Sequence, residues 1–473
     1  MDEFPLSSQQ EYLWEIARFL SPTECVTSRG NPFIALDIDG EVDPSRMKHA
    51  LAALIERHES LRTTLSDCDL EPRQRVAVMV DPPFAYVDAS AAASPDRCRQ
   101  LAESLIAGHR ASEFDVVSGP LWSALLVKVA VSRHILALSV SHLIIDGVSL
   151  ISMVRQLTRL YAGESLPELK RQYRDFVAAS RATDDRLQDK LSYWRERLLP
   201  LGSRLSYPTD YSAQPPALIS FAAENLQSPY RLEKMGDLCR SAAVTPFIAN
   251  VTAYAALLAR PSQARRVVIG SSVAQLDLKP DEECIGYFLD MIYLAIDIRP
   301  NDTLGDLADQ VQRRAFEARD NIVPYVELAR ALNPSFDTER PWPDVHLYDA
   351  WLRGRVFEST HSSSVATFGD TTVNLYRPTS GSPPRLVTRQ EHQEAYTRYY
   401  LPSFYLNNRE GTSCYLEYNQ AVFKQATIRQ MAKEHFSLLG CLATPGMSIS
   451  EAWRAVSRAA LAAEPTHTRT IIR

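Results

Sequence analysis

Residues Val140-Ser141-His142-Leu143-Ile144-Ile145-Asp146-Gly147-Val148-Ser149 set one imidazole between two apolar patterns of different period, with a carboxylate four residues on and a glycine after it. Upstream, Leu121 to Val129 and His134 to Val140 are β-rich and are separated by Val131-Ser132-Arg133, which predicts two strands joined by a short turn. Downstream, Val148, Ile151, Val154, Leu157 and Tyr161 recur at helical spacing. His142 is therefore expected on a loop at a strand end, where a rigid scaffold can hold it toward a cleft. An imidazole so placed can take a proton from an amine, hydroxyl or thiol near neutral pH. An isolated H-x-x-x-D-G string more often marks a buried, satisfied histidine, so the rest of the chain must decide.

Size and charge narrow the classes. With 473 residues, 45% of them hydrophobic and 23% charged, the chain can bury at least two cores and should divide into two domains. A net charge of −6 and a pI near 6.0 carry no electrostatic footprint for nucleic acid or anionic lipid. No apolar run reaches the length of a membrane span, and Met1-Asp2-Glu3-Phe4-Pro5 is acidic where a signal peptide is basic. The seven cysteines (Cys25, Cys68, Cys98, Cys239, Cys284, Cys414, Cys441) are scattered, odd in number and without metal-ligand or redox spacing. They read as reduced thiols of a cytoplasmic protein. The ten histidines form no zinc-binding pair, and no Gly-rich phosphate loop is present, so neither metal nor nucleotide has a recognisable site.

Along the chain, Asp43 is expected to cap a helix that opens with Pro44, with Met47, Leu51, Leu54, Ile55 and His58 on one face. A second helix carries Leu101, Leu105, Ile106 and His109. Strands and helices do not alternate strictly, which favours a mixed sheet flanked by helices. The polar run 182–186 and the loop from Pro208 to Pro216 bracket the crossover between lobes. The second lobe should hold a strand-rich Leu218 to Leu232, an apolar helix from Thr245-Pro246 to Leu258, strands at Arg266 to Val273 and Ile285 to Ile298, and a helix from Thr303 to Arg319. Thr379 to Pro384 reads as a loop. His58 and Arg62 read as structural, the latter tying its helix end to a strand. Trp342, His346 and Trp351 fit core packing better than an aromatic pocket. Ser359 to Ser364, around His361, lacks the turn of a serine nucleophile.

The motif in this setting resembles the condensation domains of nonribosomal peptide synthetases, whose signature is His-His-x-x-x-Asp-Gly. Ser141 stands at the first histidine, while His142, Asp146 and Gly147 match. Leu6-Ser7-Ser8-Gln9-Gln10-Glu11-Tyr12-Leu13-Trp14 resembles the family's opening motif, and Arg57-His58-Glu59-Ser60-Leu61-Arg62-Thr63 its second. Tyr173-Arg174-Asp175-Phe176 with Tyr193-Trp194, Ile285-Gly286-Tyr287-Phe288-Leu289-Asp290, Val323-Pro324-Tyr325-Val326-Glu327, and Leu416-Glu417-Tyr418-Asn419 with Phe423 and Ile428 follow in the family's order. The resemblance covers nearly the whole chain.

It implies an α/β fold of two chloramphenicol-acetyltransferase-like lobes in a V, residues 1–181 carrying the His142 loop and residues 182–473 carrying the latch and floor loops. It implies a monomeric enzyme with no bound cofactor, and because no carrier-protein or adenylation segment follows, the expectation is a free-standing protein. An acyl group on the phosphopantetheine arm of an acyl or peptidyl carrier protein, or on coenzyme A, would enter one face of the cleft, and a small amine or alcohol the other. His142 would take the proton or orient the nucleophile. Gly147 would allow a tight turn and present its N–H to the oxyanion. Ser141 and Asp146 would support the motif, and Tyr287, Ser271, Asp290 and Trp351 are candidates for the substrate channel.

Three departures complicate that reading. Besides Ser141, Leu276 occupies the place of the arginine that pairs with the motif aspartate in the family. Asp146 then needs another donor (Gln275, Arg265, Arg266 or Lys279), backbone N–H groups, or a raised pKa. Third, Asp290 replaces the family's asparagine, putting a carboxylate either beside the cleft or out in solvent. An active condensing enzyme, a fold repurposed for cyclisation, isomerisation or coenzyme A-dependent transfer, and a non-catalytic recruitment module are the three readings these departures separate.

Overall fold

A computed structural model of the chain describes residues 2–11, 13–14, 27–28, 31–66, 72–92, 94–182, 184–198, 208, 210–211, 218–227, 232–262, 264–274, 283–332, 348–349, 364–368, 371–376, 385–388, 403–408, 411–420 and 423–463. The strand–loop–helix unit forms as its pattern predicts. Trp122–Ala130 and Arg133–Val140 pair antiparallel with Trp122 opposite Val140, and the helix spans Gly147–Ala162. Every residue of Arg133–Val140 after the first is buried, which requires cover on both faces of the sheet. Strand alternation divides those residues between two cores. Leu136, Leu138 and Val140 join Met47, Leu51 and Leu54 of the helix Pro44–Arg57 and Val154 and Leu157 of the Gly147–Ala162 helix. Ile135 and Ala137 face Cys98, Ala102 and Ile106 of the helix Pro95–Arg110.

The sheet runs Ser364–Phe368, Thr371–Leu375, Phe33–Asp39, Arg133–Val140, Trp122–Ala130, Phe84–Asp88. Its last pair is parallel and the others antiparallel, so it is mixed, as expected. Two of its strands come from beyond residue 363, and Val373 is buried in the first core. A cut at residue 181 therefore does not separate the first sheet from the rest of the chain.

The second lobe has a core of its own, formed by the helices Leu187–Leu198, Pro246–Ser262, Leu304–Asp320, Gln425–Cys441 and Ile449–Ala463 on the strands Arg266–Ala274, Leu289–Asp297 and Gly411–Asn419. Leu191, Trp194 and Leu198 belong to this core, so the chain changes lobe just before their helix. Asp43 caps the Pro44–Arg57 helix through Ser45 and Arg46 N–H, and Thr303 caps Leu304–Asp320. Arg62 bonds Ile55 O at 3.1 Å and Val78 O at 3.4 Å, joining its helix to the chain beyond the strand Arg73–Val76.

The second helix forms over Pro95–Arg110 and carries Leu101, Leu105, Ile106 and His109; it turns its small residues Cys98 and Ala102 to the sheet, lies close enough for Cys98 Sγ to reach Val129 O at 3.1 Å, and leaves Leu101 41% exposed. Two expectations are corrected. The strand at Leu218 stops at Gln227, and Leu232–Ser241 is a helix. Residues 285–288 are not strand: pairing begins at Leu289, and the residues before it are drawn off to the other lobe. The loop at Thr379 to Pro384, together with Trp342, His346, Trp351 and His361, lies outside the described residues.

His435, on the Gln425–Cys441 helix, is buried with Nε2 3.2 Å from Asn250 Oδ1. Burial pushes its pKa from the ordinary 6.5 down to about 3. The folded state thus refuses a proton that the unfolded chain accepts. Its contribution is complete above pH 6.5 and is lost as the pH falls toward 3, at up to about 1.4 kcal/mol per pH unit. Urea titrations should show stability falling more steeply below pH 6 in the wild type than in His435→Gln.

Candidate active site

The loop after Val140 is fastened before it reaches the histidine. Ser141 N–H donates to Leu121 O at 2.7 Å, and Ser141 O accepts from Ile144 N–H at 3.1 Å. Ser141 Oγ accepts from Leu143 N–H at 3.3 Å, closing a turn around residue 142. The serine is fully buried, and its bonds hold the loop. His142 itself is part-exposed between buried neighbours. Its Nδ1 lies 2.9 Å from Ile145 O. A carbonyl only accepts, so Nδ1 carries the hydrogen and the neutral ring has its lone pair on Nε2. The Tyr287 ring meets the imidazole edge-on, with centroids 5.3 Å apart and planes at 84°.

Asp146 ends the loop and opens the helix. Its Oδ1 accepts Ser149 N–H at 2.7 Å as an N-cap. Its Oδ2 accepts Phe288 N–H of the other lobe at 3.0 Å, while its own N–H donates to Gly286 O at 3.0 Å. Gly286 N–H returns to Ser149 Oγ at 3.3 Å, and Ser60 Oγ donates to Ile285 O at 2.9 Å. At the start of the same segment, Glu283 is gripped by Arg57 at 2.7 Å and Arg159 at 3.2 Å, and its carbonyl by Gln156 at 2.8 Å. Of the replacements considered for the family's arginine, the structure shows backbone N–H groups on both carboxylate oxygens. Arg266 pairs with Asp297 instead, and Leu276, Gln275 and Lys279 lie outside the described residues.

A condensation-domain family model matches residues 1–457. The chain belongs to the condensation-domain family. It is 31% identical over 471 residues to phosphinothricin tripeptide synthetase PhsC of Streptomyces viridochromogenes, covering 94% of this chain and 40% of that protein. It thus spans well under half of that synthetase. The first condensation domain of the calcium-dependent antibiotic synthetase superposes with a TM-score of 0.68 at 18% identity, covering 95% of this chain and 99% of that one. The X-domain solved in complex with OxyB from teicoplanin biosynthesis gives 0.71 at 20%, covering 95% and 96%. These neighbours carry the two-lobed acetyltransferase-like fold, and the family forms amide bonds in nonribosomal peptide biosynthesis.

In this condensation domain the other expected residues fall in different places. Tyr287 reaches His142, as described. Asp290 is buried, 7% exposed, and its Oδ2 accepts from Gln9 Nε2 at 2.8 Å, so the solvent-facing reading of this carboxylate is wrong. Ser271 is buried in the strand Arg266–Ala274 opposite Ile292, and no described contact joins it to the His142 loop. Gly147 is the first residue of its helix and is not among the described positive-φ glycines, Gly40, Gly119 and Gly163. It makes no left-handed turn; its N–H is one of the first-turn donors that a helix leaves open. Trp351 lies outside the described residues. His58 is structural as read, buried with Nε2 2.8 Å from Gln156 Oε1. Among the described residues no cluster could hold a metal, and no helix is long and apolar enough to cross a membrane.

Sequence reasoning missed Ser149, Gly286 and Gln10 as parts of the site. Gly286 had a visible signal in its place beside Tyr287, but its need appears only in packing. A Cβ there would stand 2.1 Å from Cδ2 of the buried Tyr173 ring and 2.9 Å from Phe288 Cζ. Gly286→Ala should therefore lower the thermal midpoint and cost about 2–4 kcal/mol in chemical denaturation, since a stacked ring cannot yield that space. Asp146→Asn keeps the shape but turns one acceptor into a donor facing an N–H. It should cost about 1–3 kcal/mol by the same measurement.

Proposed function

We propose that this condensation domain joins an acyl thioester, carried on the phosphopantetheine arm of an acyl or peptidyl carrier protein, to a small amine or alcohol. The observation that carries this reading is the bond from His142 Nδ1 to Ile145 O, which fixes the ring hydrogen on Nδ1 and puts the basic lone pair on Nε2. The nucleophile attacks the thioester carbonyl and the new C–N or C–O bond forms. The C–S bond breaks, the proton of the nucleophile passes to Nε2, and the departing sulfur takes it up. A thioester is already activated, so holding the two reactants together supplies much of the acceleration. Removal of the developing proton adds about 10²–10⁴-fold. Gly147 N–H, at the open end of its helix, is the proposed donor to the oxyanion. No cofactor beyond the carrier arm or coenzyme A enters the step, and the protein acts as a cytoplasmic monomer.

A recruiting role is the second reading. Ser141, buried at the position of the family's first histidine, favours it, as does the fold shared with an X-domain that binds OxyB. The two part on one experiment. Acylated carrier proteins and candidate amines are incubated with the wild type and with His142→Ala, and carrier loading is followed by intact-protein mass spectrometry. Loss of the acyl species with the wild type, slowed about 100-fold or more in the variant, supports catalysis. Equal rates in both would exclude it and leave recruitment. Substitution of coenzyme A thioesters for the carriers then separates condensation from a repurposed acyl transfer.

A further inference from the structure

The N-terminal turn Ser7 to Gln10 is fully built into the protein although it lies in sequence far from the motif. Gln10, 1% exposed, uses its whole amide. Oε1 accepts Ser7 N–H at 2.8 Å, and Nε2 donates to Gln74 Oε1 at 3.0 Å and to Leu143 O at 2.7 Å. Leu143 is the residue next to His142. The Gln10 backbone N–H starts a second route, donating to Ser7 Oγ at 3.0 Å. Ser7 Oγ lies 3.2 Å from Tyr173 Oη, which donates to Tyr287 O at 3.0 Å. The single hydroxyl hydrogen of Tyr173 is spent on that carbonyl, so Ser7 is the donor to Tyr173. Burial raises the pKa of Tyr173, which keeps that hydrogen in place. Tyr287 is the residue whose ring abuts His142.

Gln10 thus stands one hydrogen bond from the backbone that carries the imidazole and at the head of a directed chain to the backbone that carries its aromatic neighbour. We propose that Gln10 is a positioning residue, whose side chain fixes the orientation of the His142 ring through Leu143 O while its backbone N–H heads the route to Tyr287. The proposal rests on the reading of His142 as the proton acceptor. Its logic is that a buried amide carbonyl or amide hydrogen left without a partner must find a new one, and the nearest freedom available is movement of the 141–145 turn.

The test uses Gln10→Ala and Gln10→Glu in the full chain, with Thr303→Ala as a control that loses a helix cap in the second core. Protein labelled with ¹⁵N-histidine reports the tautomer of His142, assigned by loss of its signals in His142→Ala. The wild type should show one tautomer with the hydrogen on Nδ1. Both Gln10 variants should show exchange between tautomers, while Thr303→Ala keeps the wild-type spectrum at a comparable loss of stability. With an acyl substrate in hand, kcat should fall about 10- to 100-fold with KM within about 3-fold, as for a misplaced catalytic group. A wild-type His142 spectrum and wild-type kcat in folded Gln10→Ala would overturn the positioning role. Full activity of His142→Ala would instead overturn the reading beneath it.

Discussion

Both oxygens of one buried carboxylate decide the arrangement of this protein. Asp146 caps the helix that follows the histidine loop and, with its second oxygen, accepts the Phe288 N–H of the opposite lobe. The two bonds share a single rigid group, so the helix start and the lobe contact cannot move independently. Charge-assisted bonds to backbone N–H groups are stronger than neutral ones, and they recover part of the cost of burying the charge. The neighbouring Ser149–Gly286 and Ser60–Ile285 bonds and the Glu283 clamp extend the same contact along one strap of backbone.

That contact explains why residues 283–288 are not strand. Their carbonyl and N–H groups are taken by side chains and loop atoms of the first lobe, so no sheet partner is needed until Leu289. Gly286 makes the approach possible, because its missing side chain is replaced by the faces of Tyr173 and Phe288, which themselves meet edge to face at 5.5 Å. The aromatic cluster of Tyr173, Phe176, Tyr287 and Phe288 is thus a small core between the lobes, distinct from the core of each. His142 sits on its margin, edge-on to the Tyr287 ring and part-exposed.

Much of this was legible from residue order, and the successes and failures have physical causes. The two strands, the loop and the helix around His142 follow from apolar periods of two and near 3.6, which local sterics enforce wherever one face is buried. Asp43 and Thr303 announce their helices because a cap is a contact between residues two or three apart. The inward face of Pro95–Arg110 was not legible, because close approach to the sheet selected the small Cys98 and Ala102 and left Leu101 exposed. The place of Asp290 stayed open between cleft and solvent for a different reason, since its partner, Gln9, lies 281 residues away.

Local pattern alone settled the mixed α/β class, the strand-end placement of the imidazole and the helix that Asp146 opens, since each depends on neighbours within a few residues. Folding in three dimensions decided the rest: that Asp146 answers to backbone N–H groups of two lobes, that strands beyond residue 363 complete the first sheet, and that Gln10 lies against the histidine loop. Those pairings join groups more than a hundred residues apart. Their partners are peptide groups, which every residue carries, so no side-chain pattern could have singled them out.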